Sequence, residues 1–161
     1  MAPSRQCSIE FENESKYTLL NACYYMHSGF CQQPLPLDLT SSDSGRALFE
    51  KTPNTMWGCV GVVMYDLKNN STNEHDGKMA VMFSNPYNFM QFSNWFAVGV
   101  FGMNKHCDYS LYKEMYYSAQ KGFIRGKAKD FNLNYSIEAV IIRVTMSDSY
   151  KPVIKVKVSD Y

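Results

Sequence analysis

The sequence predicts a mainly β protein: one domain over residues 1–161, folded as a compact β-sandwich and flanked by one or two short helices. Aromatic residues make up 15% of the chain, and such residues favour pleated, half-buried surfaces. Many short apolar runs are separated by polar turn segments, as in sandwiches and barrels. Near the C-terminus, Ile154, Val156 and Val158 alternate with lysines, which is the period of a strand with one wet face.

The other strands follow from apolar runs between turn signals. Residues 56–65 (MWGCVGVVMY) form a near-continuous apolar run, which predicts a strand buried on both faces and therefore a buried Trp57. The polar segment 68–77 (KNNSTNEHDG) predicts an exposed hairpin loop. The remaining predicted strands are 6–11, 17–26, 45–50, 78–84, 95–101 and 137–146.

One segment has helical spacing. In residues 109–118 (YSLYKEMYYS), Leu111 and Met115 are four residues apart on one row, and Tyr112 and Tyr116 are four apart on a neighbouring row. We expect a short helix whose first row packs on a sheet and whose second row serves another surface.

The start of this helix has two candidate caps. Asp108 and Ser110 both carry a short polar side chain that can accept a hydrogen bond from the first helical turn. The sequence leaves both alternatives open.

Charge and composition argue against several function classes. A net charge of +1 provides no positive field that would draw the chain onto nucleic acid. No segment approaches the ~20 apolar residues that span a bilayer, and the first six residues contain no apolar signal-peptide core. The chain also lacks a glycine-rich phosphate loop and a nucleophile elbow, so we do not expect an enzyme.

The cysteines and histidines show no metal-ligand spacing. The five cysteines are odd in number and contain no Cys-x-x-Cys pair, and the three histidines are far apart. We expect free, mostly buried thiols and neither a metal nor a cofactor. The cysteines are Cys7, Cys23, Cys31, Cys59 and Cys107.

The segment 82–101 (MFSNPYNFMQFSNWFAVGVF) concentrates large apolar side chains near a loop. Pro86 ends the incoming strand. Because loops run on the surface, where their backbone polar groups meet water, this segment as a set predicts an exposed patch that serves as an interaction site. Its large apolar residues are Tyr87, Phe89, Met90, Phe92, Trp95 and Phe96. For any single side chain of the set, burial in the core is the alternative.

The same segment and the helix after it resemble the actinoporin family of pore-forming cytolysins. The likeness covers about residues 5–117 and fades afterwards, with weaker matches such as Ser28-Gly29 and Val60-Gly61 upstream. The residues that carry it most specifically are Ser84, Pro86, Tyr87, Ser93, Asn94, Trp95, Tyr112, Tyr116 and Tyr117.

The resemblance implies a β-sandwich that docks on membranes and recognises phosphocholine headgroups, those of sphingomyelin in particular. Aromatic faces hold a quaternary ammonium, and serine hydroxyls can donate to phosphate oxygens. Self-association on the membrane is a further expectation. Carried over residue by residue, the headgroup-binding residues are Ser28, Val60, Ser84, Pro86, Phe92, Tyr112, Tyr116 and Tyr117. The membrane-docking residues are Phe89, Met90, Phe92, Trp95 and Phe96.

The sequence departs from the family at several positions. Phe92 stands where the family has a tyrosine, and Gln91 stands where it usually has a tryptophan. The family's pore-forming amphipathic helix would precede Arg5, where this sequence has four residues, so we expect membrane binding without perforation by that route. The family implies secretion or release onto target cells, although no signal peptide is visible and free cysteines are compatible with a cytoplasmic pool.

The alternative function is glycan binding. Fungal fruit-body lectins are similar in fold to actinoporins, and a sugar site also uses aromatic faces and small polar groups. The cluster of Tyr112, Tyr116 and Tyr117 favours a lipid headgroup, because several aromatic faces together suit a quaternary ammonium.

Overall fold

The computed structural model describes residues 4–88 and 90–161, and this part of the chain forms eleven strands and one α-helix. The elements are β1 (Gln6–Glu14), β2 (Tyr17–Ser28), β3 (Phe30–Gln33), β4 (Ser44–Glu50), β5 (Cys59–Asn69), β6 (His75–Asn85), β7 (Trp95–Phe101), α1 (Tyr109–Tyr117), β8 (Phe123–Lys127), β9 (Leu133–Ile137), β10 (Val140–Met146) and β11 (Val153–Asp160).

The strands form two sheets, which confirms the predicted sandwich. The six-stranded sheet has the order β3-β4-β1-β11-β10-β9, and the five-stranded sheet has the order β2-β5-β6-β7-β8. Strands β1 and β11 pair in parallel at the centre of the first sheet. The main core lies between the sheets, and a smaller cluster lies between the five-stranded sheet and α1.

The predicted alternation in β11 is confirmed. Ile154, Val156 and Val158 are buried in the main core, while Lys155 is exposed between them. Strand side chains alternate between the two faces of a sheet, so the six-stranded sheet keeps its lysine-bearing face in water.

Two predicted strands begin later in the structure than the sequence indicates. The run 137–146 is divided between β9 and β10, because Glu138 takes a left-handed conformation with φ 49° and turns the chain. The run 56–65 becomes a strand only at Cys59, so Trp57 precedes the strand and is 65% exposed. Gly58 accounts for this boundary. A Cβ atom at this position would lie 2.1 Å from the backbone oxygen of Asn85, so the backbone at residue 58 passes so close to the end of β6 that only glycine fits.

Helix α1 forms where its spacing predicts, and Asp108 is its cap. The Asp108 carboxylate accepts a hydrogen bond from the Leu111 N–H at 3.0 Å. Leu111 and Met115 are fully buried against the five-stranded sheet, as expected. The expected separation of the two rows is only partly right, because Tyr112 is itself just 4% exposed and belongs to the same buried cluster.

The cysteines in the described part of the chain all carry free thiols. Cys7 and Cys59 are fully buried in the main core. Cys23, Cys31 and Cys107 are half-buried, so the expectation of mostly buried thiols holds for two of the five.

Candidate functional site

A cavity of about 590 Å³ opens at one end of the five-stranded sheet, between two loops. One loop precedes β5 and the other follows β6. Four predicted headgroup residues line the cavity: Ser28, Val60, Pro86 and Phe92. Further lining residues come from both loops and from elsewhere in the chain, among them Arg5, Met56, Trp57, Tyr87, Met90 and Tyr150.

Strand register brings the polar and apolar parts of the cavity floor together. Ser28 at the end of β2 pairs with Val60 at the start of β5, and Val60 pairs with Ser84 at the end of β6. Adjacent strands lie ~4.8 Å apart, so these three residues form a row across the sheet edge. The row continues from Ser84 to its partner Trp95 in β7, and the Ser84 side chain also interacts with Tyr116 of α1.

Four large apolar side chains surround the cavity mouth. Met56 is 77% exposed, Trp57 65%, Met90 88% and Phe92 54%. We call these four residues the apolar rim. They come from two segments that are distant in sequence, so only the folded chain creates a continuous apolar surface.

Hydrogen bonds shape the loop that carries Met90 and Phe92. The N–H groups of Gln91 and Phe92 both donate to the Asn88 carbonyl, at 3.2 and 2.9 Å. The Asn88 side-chain amide donates to Gln91 Oε1 at 3.0 Å. Met90 and Phe92 are exposed on this turn, whereas Gln91 stabilises the turn through its hydrogen bonds with Asn88.

Two cations hold the loops in place. The Arg5 guanidinium, only 3% exposed, donates to the Pro86 carbonyl at 3.1 Å and to the Tyr87 carbonyl. It also lies 4.4 Å from the ring centroid of Tyr150. The Lys51 ammonium donates to the Thr55 carbonyl at 2.6 Å and lies 5.5 Å from the ring centroid of Tyr87, so it touches both loops.

A row of tyrosines follows α1 beside the cavity. The ring centroids of Tyr112 and Tyr116 are 5.8 Å apart, and those of Tyr116 and Tyr117 are 4.6 Å apart. His27 stacks on Tyr112 with a centroid distance of 4.8 Å and an interplanar angle of 15°. One face of Tyr112 is therefore covered, whereas Tyr117 is 66% exposed.

The environment raises the pKa of two of these phenols. Burial, followed by the neighbouring tyrosine hydroxyls, raises the pKa of Tyr112 well above its usual value. Burial and Tyr117 also raise the pKa of Tyr116, against the opposing effects of the Ser84 hydrogen bond and the positive charge of Arg125. Both groups are therefore neutral hydrogen-bonding phenols at physiological pH.

Residues 3–160 match the family model described as sea anemone cytotoxic protein. The chain belongs to this family. The family model extends the likeness to actinoporins beyond residue 117, where the resemblance read from individual residues fades.

Individual actinoporin relatives match with moderate identity. DELTA-actitoxin-Aas1a of Anthopleura asiatica is 35% identical over 122 residues, which are 72% of this chain and 52% of the relative. Deep-sea actinoporin Cjtox I of Cribrinopsis japonica is 25% identical over 135 residues, which are 84% of this chain and 59% of the relative. The chain thus spans between half and three-fifths of the length of these two relatives.

Two solved structures share the fold at low sequence identity. The lipid binding protein Nakanori superposes with a TM-score of 0.73 at 12% identity, covering 97% of this chain and 71% of Nakanori. The Xerocomus chrysenteron lectin XCL superposes with a TM-score of 0.60 at 10% identity, covering 97% of this chain and 99% of the lectin. These similarities support the β-sandwich fold.

The structure separates the residues carried over from the actinoporin family into two groups. Ser28, Val60, Pro86 and Phe92 line the cavity. The other four, Ser84, Tyr112, Tyr116 and Tyr117, lie on or beside the helix side of the same sheet, where the hydrogen bond between Tyr116 and Ser84 links them to the cavity edge.

The docking residues expected from the actinoporin resemblance differ in exposure. Phe96 is fully buried in the core between the sheets, so its assignment to a docking surface is wrong. Trp95 is half-buried, with the Lys127 ammonium 5.5 Å from its ring centroid. Met90 and Phe92 are exposed, and Phe89 lies outside the described residues.

Sequence reasoning missed Met56, Trp57 and Arg5 as parts of the site. Met56 and Trp57 begin the apolar run 56–65, and this run predicts a buried strand. The preceding Pro53-Asn54 dipeptide was the available signal, since both residues favour turns and Asn54 has φ 61°. No local signal identifies Arg5, because its partners at positions 86 and 87 are far away in sequence.

The described residues show neither a spanning helix nor a metal cluster. Within 4–88 and 90–161, no helix is long and apolar enough to cross a bilayer. The same ranges contain no group of three or more histidine, cysteine or acidic residues placed to hold a metal ion.

Proposed function

We propose that the protein docks on membranes rich in phosphocholine lipids, sphingomyelin in particular, after release onto target cells. The observation that carries this proposal is the apolar rim, whose four side chains are 54–88% exposed around one cavity. Contiguous exposed apolar groups mark interaction sites, and their transfer from water into the headgroup boundary is favourable. Membership of a family described as cytotoxic supports a membrane as the target.

The choline group fits the aromatic surfaces at the cavity mouth. A quaternary ammonium donates no hydrogen bonds and is attracted to ring faces, by about 0.5–2 kcal/mol per ring. Trp57 and Phe92 offer such faces at the cavity and exposed Tyr117 offers one beside it. We assign Tyr112 a supporting role, because His27 covers one of its faces.

The phosphate fits the polar edge of the same site. Ser28 lines the cavity, and its hydroxyl can donate to a phosphate oxygen. Tyr116 and Ser84 hydrogen-bond each other at the adjacent edge. Phe92 has an aromatic face but lacks the hydroxyl of the tyrosine expected at this position. In this proposal the hydrogen bonds to the phosphate therefore come from the hydroxyls of Ser28, Ser84 and Tyr116.

Trp57 compensates for the glutamine at position 91. The loop after β6 carries Gln91 where the family usually has tryptophan, while the neighbouring loop places Trp57 beside Phe92 at the cavity. An indole is suited to the membrane interface because its body is apolar and its N–H can reach water. The proposal therefore makes Trp57 the principal anchor.

The two tryptophans allow a direct test by fluorescence. Vesicles of sphingomyelin and phosphatidylcholine should shift the wild-type emission to the blue as an indole leaves water. Trp57→Phe should remove most of this shift, whereas Trp95→Phe should retain it, because Trp57 is 65% exposed and Trp95 is half-buried. In co-sedimentation, Trp57→Ala should weaken vesicle binding by about 10–100-fold.

Controls separate docking from nonspecific effects and from glycan binding. Leu37→Ala removes a side chain that is 85% exposed but does not line the cavity, so it should leave binding unchanged. Free phosphocholine should compete with vesicles. Wild-type vesicle binding by Trp57→Ala would disprove the proposed anchor, and competition by simple sugars with none by phosphocholine would support the lectin alternative.

A further inference from the structure

Two thiols meet at the start of α1, away from the apolar rim. Cys23 lies in β2, and Cys107 immediately precedes the helix cap Asp108. Both are half-buried and pack against the cluster between α1 and the five-stranded sheet. Each thiol shifts the pKa of the other, and both pack on the same cluster, so the two thiols are neighbours in the fold.

Aromatic contacts show that the face of β2 that carries Cys23 is the face that packs against α1. Alternate side chains of a strand share one face, so Cys23, Tyr25 and His27 line the same side of β2. The ring of Tyr25 lies 6.3 Å from that of Tyr109, and the ring of His27 lies 5.6 Å from that of Tyr109 and 4.8 Å from that of Tyr112. Cys23 lies next to these aromatic residues on β2, just as Cys107 lies next to Tyr109 at the start of α1.

The pKa values of the two thiols are shifted in opposite directions. The hydrogen bond with Cys107 and the positive charge of Lys78 lower the pKa of Cys23, against the effect of burial. The hydrogen bond with Cys23, together with burial, raises the pKa of Cys107. The Lys78 ammonium is held near this segment by a 2.9 Å hydrogen bond to the Lys105 carbonyl. Since the thiolate is the nucleophile, the lowered pKa favours Cys23 as the attacking member of the pair.

We propose that Cys23 and Cys107 form a reversible disulfide that fastens the start of α1 to β2, with a small disulfide such as oxidised glutathione as the oxidant.

The reaction proceeds by two thiol–disulfide exchanges. The Cys23 thiolate attacks one sulfur of oxidised glutathione, the S–S bond breaks, and one glutathione thiolate leaves. Cys107 loses its proton and attacks the Cys23 sulfur, which releases the second glutathione thiolate. The protein loses two electrons and its two thiol protons, and one disulfide is converted into two glutathione thiols.

The disulfide would complete the fastening of α1 at both ends. The far end is already held, because the Arg125 guanidinium donates to the carbonyls of Met115 and Ser118, each at 3.0 Å. In the reduced protein the near end depends on the Asp108 cap and on side-chain packing. Oxidation adds a covalent bond there and keeps the tyrosines of α1 in place.

The test is a peptide map of the wild-type protein after treatment with oxidised glutathione. Remaining thiols are blocked with N-ethylmaleimide before digestion, and the linked peptides are identified by mass spectrometry. We expect one linked pair that contains Cys23 and Cys107 and is lost on reduction. Because a disulfide constrains the unfolded chain, the Tm should rise by about 5 °C or more and return after reduction.

Variants distinguish the two roles. Cys107→Ser should accumulate a glutathione mixed disulfide at Cys23, whereas Cys31→Ser, which alters another half-buried thiol, should form the link normally. Blocking of both Cys23 and Cys107 by maleimide after oxidation of folded protein would overturn the proposal, as would a link between Cys7 and Cys59 alone. The wild-type map decides the matter even if Cys107→Ser does not fold.

Discussion

At the scale of single residues, Arg5 connects the beginning of the chain to the cavity. Its side chain is 3% exposed and donates to the carbonyls of Pro86 and Tyr87 at the start of the loop after β6. A buried cation is stable only with partners, and here backbone carbonyls and the rings of Tyr87 and Tyr150 provide them. One residue thereby positions a loop that carries half of the apolar rim.

Replacing Arg5 should destabilise the protein and disorder the rim. Arg5→Ala leaves the Pro86 and Tyr87 carbonyls without this donor, which should cost about 2–3 kcal/mol in the free energy of unfolding. Arg5→Lys should recover only part of this loss, because an ammonium lacks the planar fork of a guanidinium. Urea denaturation measures both effects.

The matched control for Arg5 is an exposed arginine in β4, the strand that pairs with β1. Arg46 is exposed in β4, and Arg46→Ala should change the free energy of unfolding by less than about 0.5 kcal/mol. If Arg5→Ala and Arg46→Ala lowered the free energy of unfolding equally, the contacts of Arg5 with the loop after β6 would not stabilise the fold.

At the scale of elements, α1 is short and depends on its surroundings. Helices of fewer than ~12 residues are marginal on their own in water, and α1 has nine. Its stability comes from the Asp108 cap, the burial of Leu111 and Met115, and the Arg125 hydrogen bonds at its end. These contacts place Tyr112 against His27 and leave Tyr117 exposed beside the cavity.

The cap can be tested with a matched pair of substitutions. Asp108→Ala should lower the free energy of unfolding by about 1 kcal/mol, because the Leu111 N–H loses its acceptor, and Asp108→Asn should restore most of it. Ser110→Ala, two residues away on the exposed side of the helix, should have an effect below about 0.5 kcal/mol. A larger loss for Ser110→Ala than for Asp108→Ala in urea denaturation would contradict this assignment.

At the scale of the whole molecule, stability depends on packing between the sheets. Phe49 from the six-stranded sheet and Phe83 from the five-stranded sheet are both fully buried, with ring centroids 5.4 Å apart. The parallel pairing of β1 with β11 places both ends of the domain inside the first sheet. The rigid sandwich holds the ends of β2, β5 and β6 in register, and the cavity lies at these ends.

Removing an aromatic ring from this interface should be strongly destabilising. Phe83→Ala leaves a cavity between the sheets and should cost about 3–5 kcal/mol in the free energy of unfolding. Leu37→Ala, at a residue that is 85% exposed, should cost less than about 0.5 kcal/mol. Thermal and urea denaturation compare the two variants, and similar stabilities would be incompatible with a core at Phe83.

Much of the fold could be predicted because strands and helices impose different periods on the sequence. The run 95–101 matches β7, and the spacing of Leu111 and Met115 predicts α1 and its buried row. Short strands are harder to predict from the sequence. Strands β3 and β8 have four and five residues, which are too few to show a clear alternation of apolar and polar residues. Their formation depends on partners already present in the sheets.

The errors at the candidate site have a common physical cause. Hydrophobicity predicts that a side chain avoids water, but it does not say whether the protein interior or another surface will cover it. Phe96 and Trp57 were both large, apolar and close to a turn, yet Phe96 is fully buried and Trp57 is 65% exposed. Alternation along β7 could have separated Trp95 from Phe96, since neighbouring strand residues face opposite sides.

The sequence by itself determined the β-sandwich class, the short helix and membership of the actinoporin family, because these depend on periodicity and on an ordered set of residues. Only the tertiary structure decided that Met56 and Trp57 join Met90 and Phe92 around one cavity, that Arg5 holds the second loop, and that Cys23 and Cys107 pack on the same cluster. These contacts join residues that are far apart along the chain, and pairing register and packing, not local preference, bring such residues together.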